Sequence, residues 1–184
     1  MKPNTTLSTN PYRYRFINFF RIVASLYFIY ISYSIEITTF LYFSLAHLLF
    51  SVLWLAITEF KLIHETGMLA GIMAQTLDIF LVTIFVMLTG HVNSFVVMGY
   101  VIITVLSSLN PEYNFGKIAA INSTLFFLIS GFLIYKGYLP MTNIFGYLSS
   151  VSLKGLMVAT VLLFVSLILT NRIIYPLVKL VHNK

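Results

Sequence analysis

Apolar residues run along this chain in long blocks separated by short polar stretches, and the length of the blocks predicts the elements. A helix needs roughly 20 mostly apolar residues to cross a hydrocarbon core about 30 Å thick, at about 1.5 Å per residue. Six blocks meet or approach that length: Phe16 to Ile35, Ile37 to Ile57, Met68 to Thr89, Ser94 to Leu109, Ile118 to Tyr135 and Ser152 to Ile174. The fourth and fifth are short, so tilted packing or a re-entrant loop is open for either. Short connections imply antiparallel neighbours. The longest, Lys136 to Val151, mixes the turn residues Gly137, Pro140 and Gly146 with Tyr138, Leu139, Met141, Ile144, Phe145 and Tyr147, which places it at the outer membrane interface. The pattern predicts an all-α polytopic membrane bundle of six transmembrane helices in one domain. Residues 1–15 form a polar, basic N-terminus, 16–174 the bundle, and 175–184 an exit helix.

Composition removes the soluble alternative. Hydrophobic residues make up 59% of the chain and charged residues 9%, against about 25% charged in soluble domains. The mean hydropathy is +0.95, so most of the surface must face lipid. Eleven Lys and Arg against five acids give a formal charge of +6. The basic residues are scattered and form no run with interleaved aromatics, which argues against a nucleic-acid partner. They orient the chain instead. With six crossings, Lys2, Arg13, Arg15, Arg21, Lys61, Lys117, Arg172, Lys179 and Lys184 share one side and only Lys136 and Lys154 lie opposite. The positive-inside rule then puts both termini in the cytoplasm, with a bacterial inner membrane as the expected location. The opening MKPNTTLSTNP is polar and lacks a cleavage pattern, so the first block is expected to stay attached. The absence of Cys excludes disulfides and thiolate metal sites.

An ionisable side chain deep in hydrocarbon costs at least about 2.5 kcal/mol and needs a partner. His47, midway along the second block, and Asp78, midway along the third, would meet near the midplane if a short hairpin joins their helices. Asp78 continues a face of small and polar residues through Gly67, Gly71, Ala74 and Gln75, and His47 shares a face with Ser44, Ser51 and Trp54. Two readings stand: His47, Gln75 and Asp78 line a polar pocket that binds a ligand or changes protonation, or they form an interhelical bond that only fixes register. His91 and Asn93 occupy the outer turn between the third and fourth blocks, either as a solvated turn or as the contact for an external signal. Asn122, Ser123, Thr124, Ser130, Thr160 and Ser166 are expected to bond carbonyls one turn earlier. No catalytic constellation, metal-ligand spacing or cofactor motif is present in the sequence, so an enzyme and a cofactor are not expected.

One resemblance goes beyond composition. Arg13, Arg15 and Arg21 precede or open the first span, and Asp78 lies within the third. Gly90 and His91 form an outer turn, Tyr100 sits in the fourth span, and Phe115-Gly116 and Gly131-Phe132 bracket the fifth. Arg172-Ile173-Ile174-Tyr175-Pro176-Leu177-Val178-Lys179 closes the last helix. This series, best between residues 70 and 184, resembles the N-terminal six-helix sensor region of RpfC-type hybrid histidine kinases and related bacterial cyclases. That family's cytoplasmic turn carries an Arg, whereas Asn-Pro-Glu-Tyr-Asn-Phe-Gly here has none. The resemblance implies a sensory input module that perceives a small lipophilic signal and relays it through the last helix. The relay would reach a cytoplasmic kinase or cyclase output domain, in cis or in trans. A homodimer is compatible with it, and Pro176 in the last helix is expected to kink or stop it. The alternative is the substrate-binding membrane subunit of an energy-coupling-factor transporter. That family's Ala-x-x-x-Ala docking stripe is missing from the first span, FINFFRIVASLYFIYISYSI.

Overall fold

A computed structural model describes residues 11–34, 36–59, 68–110, 113–139 and 151–182. These residues form six α-helices: α1 (Pro11–Ser34), α2 (Thr38–Glu59), α3 (Met68–Leu88), α4 (Met98–Ser108), α5 (Phe115–Tyr135) and α6 (Leu153–His182). Two short 3-10 turns, His91–Asn93 and Phe95–Val97, stand between α3 and α4. Five of the helices, all but α4, are long and apolar enough to cross a membrane. The expectations that rest on residues 1–10, 60–67 and 140–150 lie outside the described residues. The chain divides into two compact units, Met1–Glu65 and Thr66–Lys184.

In the first unit, α1 and α2 form an antiparallel hairpin closed at Glu36, whose φ of 57° lies in the left-handed region. Asn18, Ser25 and Ser32 on α1, and Ser44 and Ser51 on α2, are all buried. On each helix their spacing is seven residues, which returns them to one face after two turns. Small residues at this seam let the helices approach closely. Each serine hydroxyl donates to the carbonyl one turn back, for example Ser25 to Arg21 at 2.7 Å and Ser51 to His47 at 2.8 Å. Bulky side chains such as Phe19, Tyr30, Tyr33 and Tyr42 point outward.

The second unit is a four-helix bundle whose directions follow from its contacts. Near the start of α3, Gln75 bonds Ser107 at the end of α4 and the Phe115 carbonyl at the start of α5. Near the end of α3, Thr83 meets Tyr100 at the start of α4. Asn171, late in α6, meets Ser108, late in α4. Thus α3 and α5 run one way and α4 and α6 the other. Short α4 makes a full return because the 3-10 turns complete its path. A single apolar core holds the unit together, with Ile79, Val86, Tyr100, Ala120, Phe127, Leu156 and Leu167 among its buried members.

Two boundaries correct the sequence reading. Regular α-helix in the fourth span begins at Met98 rather than Ser94, and its 11 residues rise only about 17 Å. The fifth begins at Phe115 rather than Ile118, because the Asn114 side chain accepts the Lys117 amide at 3.1 Å and caps the helix early. The expected exit helix is continuous with the sixth span: α6 runs through Pro176, which does not stop it, to His182, 30 residues in all. At the far end of α5, Gly137 takes a φ of 77°. Its amide bonds Ile134, and that of Tyr138 bonds Leu133, both at 2.9 Å, a glycine-dependent helix stop.

Candidate functional site

In the first unit the histidine singled out by the sequence is His47. Its Nδ1 lies 2.7 Å from Ser25 Oγ. Since the Ser25 hydroxyl proton is committed to the Arg21 carbonyl, the consistent tautomer has His47 Nδ1–H donating to Ser25. The ring also lies 6.5 Å from that of Phe50, which stacks on Trp54 at 5.8 Å. Arg21 Nη1 donates to Asn18 Oδ1 at 3.2 Å, one turn along the same seam. Polar groups on α1 therefore answer polar groups on α2.

The second unit carries polar levels at both ends of its core. At the α5 start, Gln75 Nε2 donates to Ser107 Oγ at 2.7 Å and to the Phe115 carbonyl at 3.0 Å. Ser108 Oγ lies 2.9 Å from the Asn171 side-chain amide, drawing α6 onto α4. Gly116 makes this possible, because a Cβ there would lie 1.9 Å from Ser108 Oγ and 2.3 Å from Asn171 Oδ1. Asp78 lies one turn beyond Gln75 on α3 and is half-buried.

About 22 Å along α5 from Gly116 lies the other level, centred on His91. Gly90 and His91 both adopt the left-handed region, with φ of 102° and 51°. For a histidine this conformation is uncommon and must be held by its surroundings. The imidazole enters the bundle and is fully buried. It stacks on Phe127 with ring centres 4.4 Å apart. Nε2 lies 3.1 Å from the Phe127 carbonyl and 3.0 Å from Ser130 Oγ. A carbonyl only accepts, so Nε2 carries the proton and Nδ1 is the bare nitrogen, buried with no hydrogen-bond partner. Burial in this dry setting pushes the imidazole pKa down from 6.5 to about 4, with the Phe127 carbonyl pulling weakly the other way. Room for the ring comes from Gly131: a Cβ there would stand 2.5 Å from His91 Cε1 and 2.4 Å from Leu156 Cδ1.

Next to this level, Tyr100 is fully buried. Its hydroxyl lies 2.8 Å from Thr83 Oγ1, and its ring meets Phe127 edge-on at 6.4 Å. Ser94 bonds Thr89 and accepts the Val96 amide at 3.1 Å, pinning the turn to the end of α3. Beside the turn, Val92 and the first three turns of α6, through Lys154, Gly155, Val158, Ala159 and Leu162, line a mainly apolar groove of about 460 Å³.

His47 belongs to the first unit, and Gln75 and Asp78 to the second. The structure thus gives His47 a partner the sequence reading omitted, Ser25. It corrects the solvated-turn expectation for His91, which is buried as the plug of the bundle, while Asn93 beside it is exposed. Ser123 is also corrected: its hydroxyl is buried without the expected bond to the preceding turn. The missed residues Asn18, Ser25 and Ser32 carried a signal in their seven-residue spacing. Gly116 and Gly131 carried none that points to their partners, which lie on other helices.

The helices define a multi-pass α-helical membrane protein. No family model, curated protein or solved structure matches the chain.

Proposed function

We propose that the chain is a membrane sensory module of a bacterial cytoplasmic membrane, with both termini cytoplasmic. In this reading a small lipophilic signal settles in the groove beside the His91 turn. The observation that supports it is the way α6 is held. Leu156 packs against Gly131 and His91 at one level, Asn171 bonds Ser108 at the other, and 11 further residues of the same helix follow to His182. A rigid rod gripped at two levels carries a displacement from one to the other, and a ligand shifts it by favouring one of two seats. The output it would serve is a cytoplasmic kinase or cyclase domain, in cis or in trans.

The test measures whether the two levels communicate. The chain has no Cys, so Tyr113→Cys and Leu177→Cys, both at exposed positions of the second unit, accept a pair of spin labels without background. Gly131→Ala or the milder His91→Gln then disturbs the far level. A relay moves the label separation by about 1–2 Å, the scale of helix shifts in switching proteins. An unchanged distance distribution in folded His91→Gln protein refutes it.

A further inference from the structure

Most hydroxyls along the helices of the second unit bond the carbonyl one turn earlier, as Thr83 does to Ile79, Ser108 to Thr104, Thr124 to Ala120 and Thr160 to Leu156. Thr104 and Ser123 do not. Both are fully buried, and neither Oγ1 of Thr104 nor Oγ of Ser123 has a partner among the described residues. Gln75 adds a third such atom, its Oε1, because its amide nitrogen is committed to Ser107 and the Phe115 carbonyl. A buried polar atom without a partner costs about 1–3 kcal/mol; besides His91 Nδ1 in its apolar seat, these three oxygens are such atoms, and they call for a polar guest.

The helix register sets Thr104 and Ser123 at one level and Gln75 about one turn away. Tyr100 of α4 meets Phe127 of α5. One turn inward along each helix stand Thr104 and Ser123. Four residues beyond Thr104, Ser108 bonds Asn171, and three beyond it, Ser107 bonds Gln75. Thr104 is therefore one turn from Gln75 along the bundle axis, a rise of about 5 Å that a glutamine side chain spans. Two oxygens about 4.5 Å apart are the separation that one water bridges with two ordinary hydrogen bonds.

We propose that Gln75 Oε1, Thr104 Oγ1 and Ser123 Oγ form an internal water site between α3, α4 and α5. The site suits a small donor, since Gln75 offers only an acceptor and the two hydroxyls can each give or take. Three neutral oxygens favour water over a bare cation, whose charge they leave unbalanced. Water here ties the shortest helix, α4, to α5 midway between the two polar levels. The inference goes beyond the sensory reading and does not rest on it.

The test is a double-mutant cycle on the intact chain in detergent, reading the melting temperature of Thr104→Val, Ser123→Ala and both together, in sodium chloride and in choline chloride. One shared water makes the effects non-additive, with the double variant shifted by clearly less than the sum of the singles. Thr104→Ser, which keeps the hydroxyl, stays near wild type. Additive shifts overturn the proposal, as does a melting temperature that rises in sodium relative to choline, which would make the guest a cation. A second readout needs no variant. Hydroxyl radicals generated from bound water by a short X-ray pulse would oxidise Tyr100 and Leu167, both with no exposed surface. Protection of both residues overturns the site as well.

Discussion

Acidification should lift the His91 turn out of the bundle. The imidazole is buried neutral, with a pKa near 4 against 6.5 when freed. Between those values the released turn binds a proton that the seated one does not, so the seated state weakens as pH falls from 6.5 and levels off below 4. The stabilisation is fully present above pH 6.5. Each pH unit inside the window is worth about 1.4 kcal/mol, so at pH 5, 1.5 units into it, the turn loses about 2 kcal/mol, or roughly 30-fold in its opening equilibrium. The physical cause is local. Nδ1 is buried without a hydrogen-bond partner, so a proton gained there has no acceptor. Hydrogen exchange reads this directly, because the Asn93 and Ser94 amides are bonded to Gly90 and His91 within the turn. After correction for the intrinsic pH dependence of exchange, opening of residues 92–97 should rise by more than tenfold between pH 7 and 5 in wild type and stay flat in His91→Gln. Equal pH dependence in the two proteins refutes the reasoning.

Two further outcomes follow from the packing. Gly131→Ala forces a methyl against both Leu156 and His91 and should destabilise the second unit by about 1–3 kcal/mol, seen as a lower melting temperature in detergent. Tyr100→Phe should cost less than about 1 kcal/mol in the same assay, because Thr83 keeps its bond to the Ile79 carbonyl when the phenol is removed.

Block length located α2 and α3 to within two residues at most ends, because a lipid-facing helix must be apolar over a fixed distance whatever it packs against. The same rule misplaced the start of α4. Phe95-Val96-Val97 is as apolar as the helix that follows, and nothing in those side chains says that His91 draws the turn inward. Asn114 was a readable cap, hidden by a loop that contains Pro111. Gln75 was legible as part of a small and polar face, and that face does meet α4 and α5. The seat of His91 was not legible, since it depends on a left-handed backbone at residues 90 and 91 and on space at Gly131, 40 residues away. The Ser25 partner of His47 was within reach: both lie on faces that repeat every seven residues.

The serine seam of the hairpin also has a consequence for how the protein is made. Of the five long apolar helices, α1 is the least apolar; it carries Arg21, and Asn18, Ser25 and Ser32 are buried along one face. Emerging alone from the ribosome, it is a poor candidate for the lipid phase. Its polar face is covered only once α2 has followed. The bilayer is thus a better solvent for the hairpin than for α1 alone, because α2 takes the polar face of α1 out of contact with lipid.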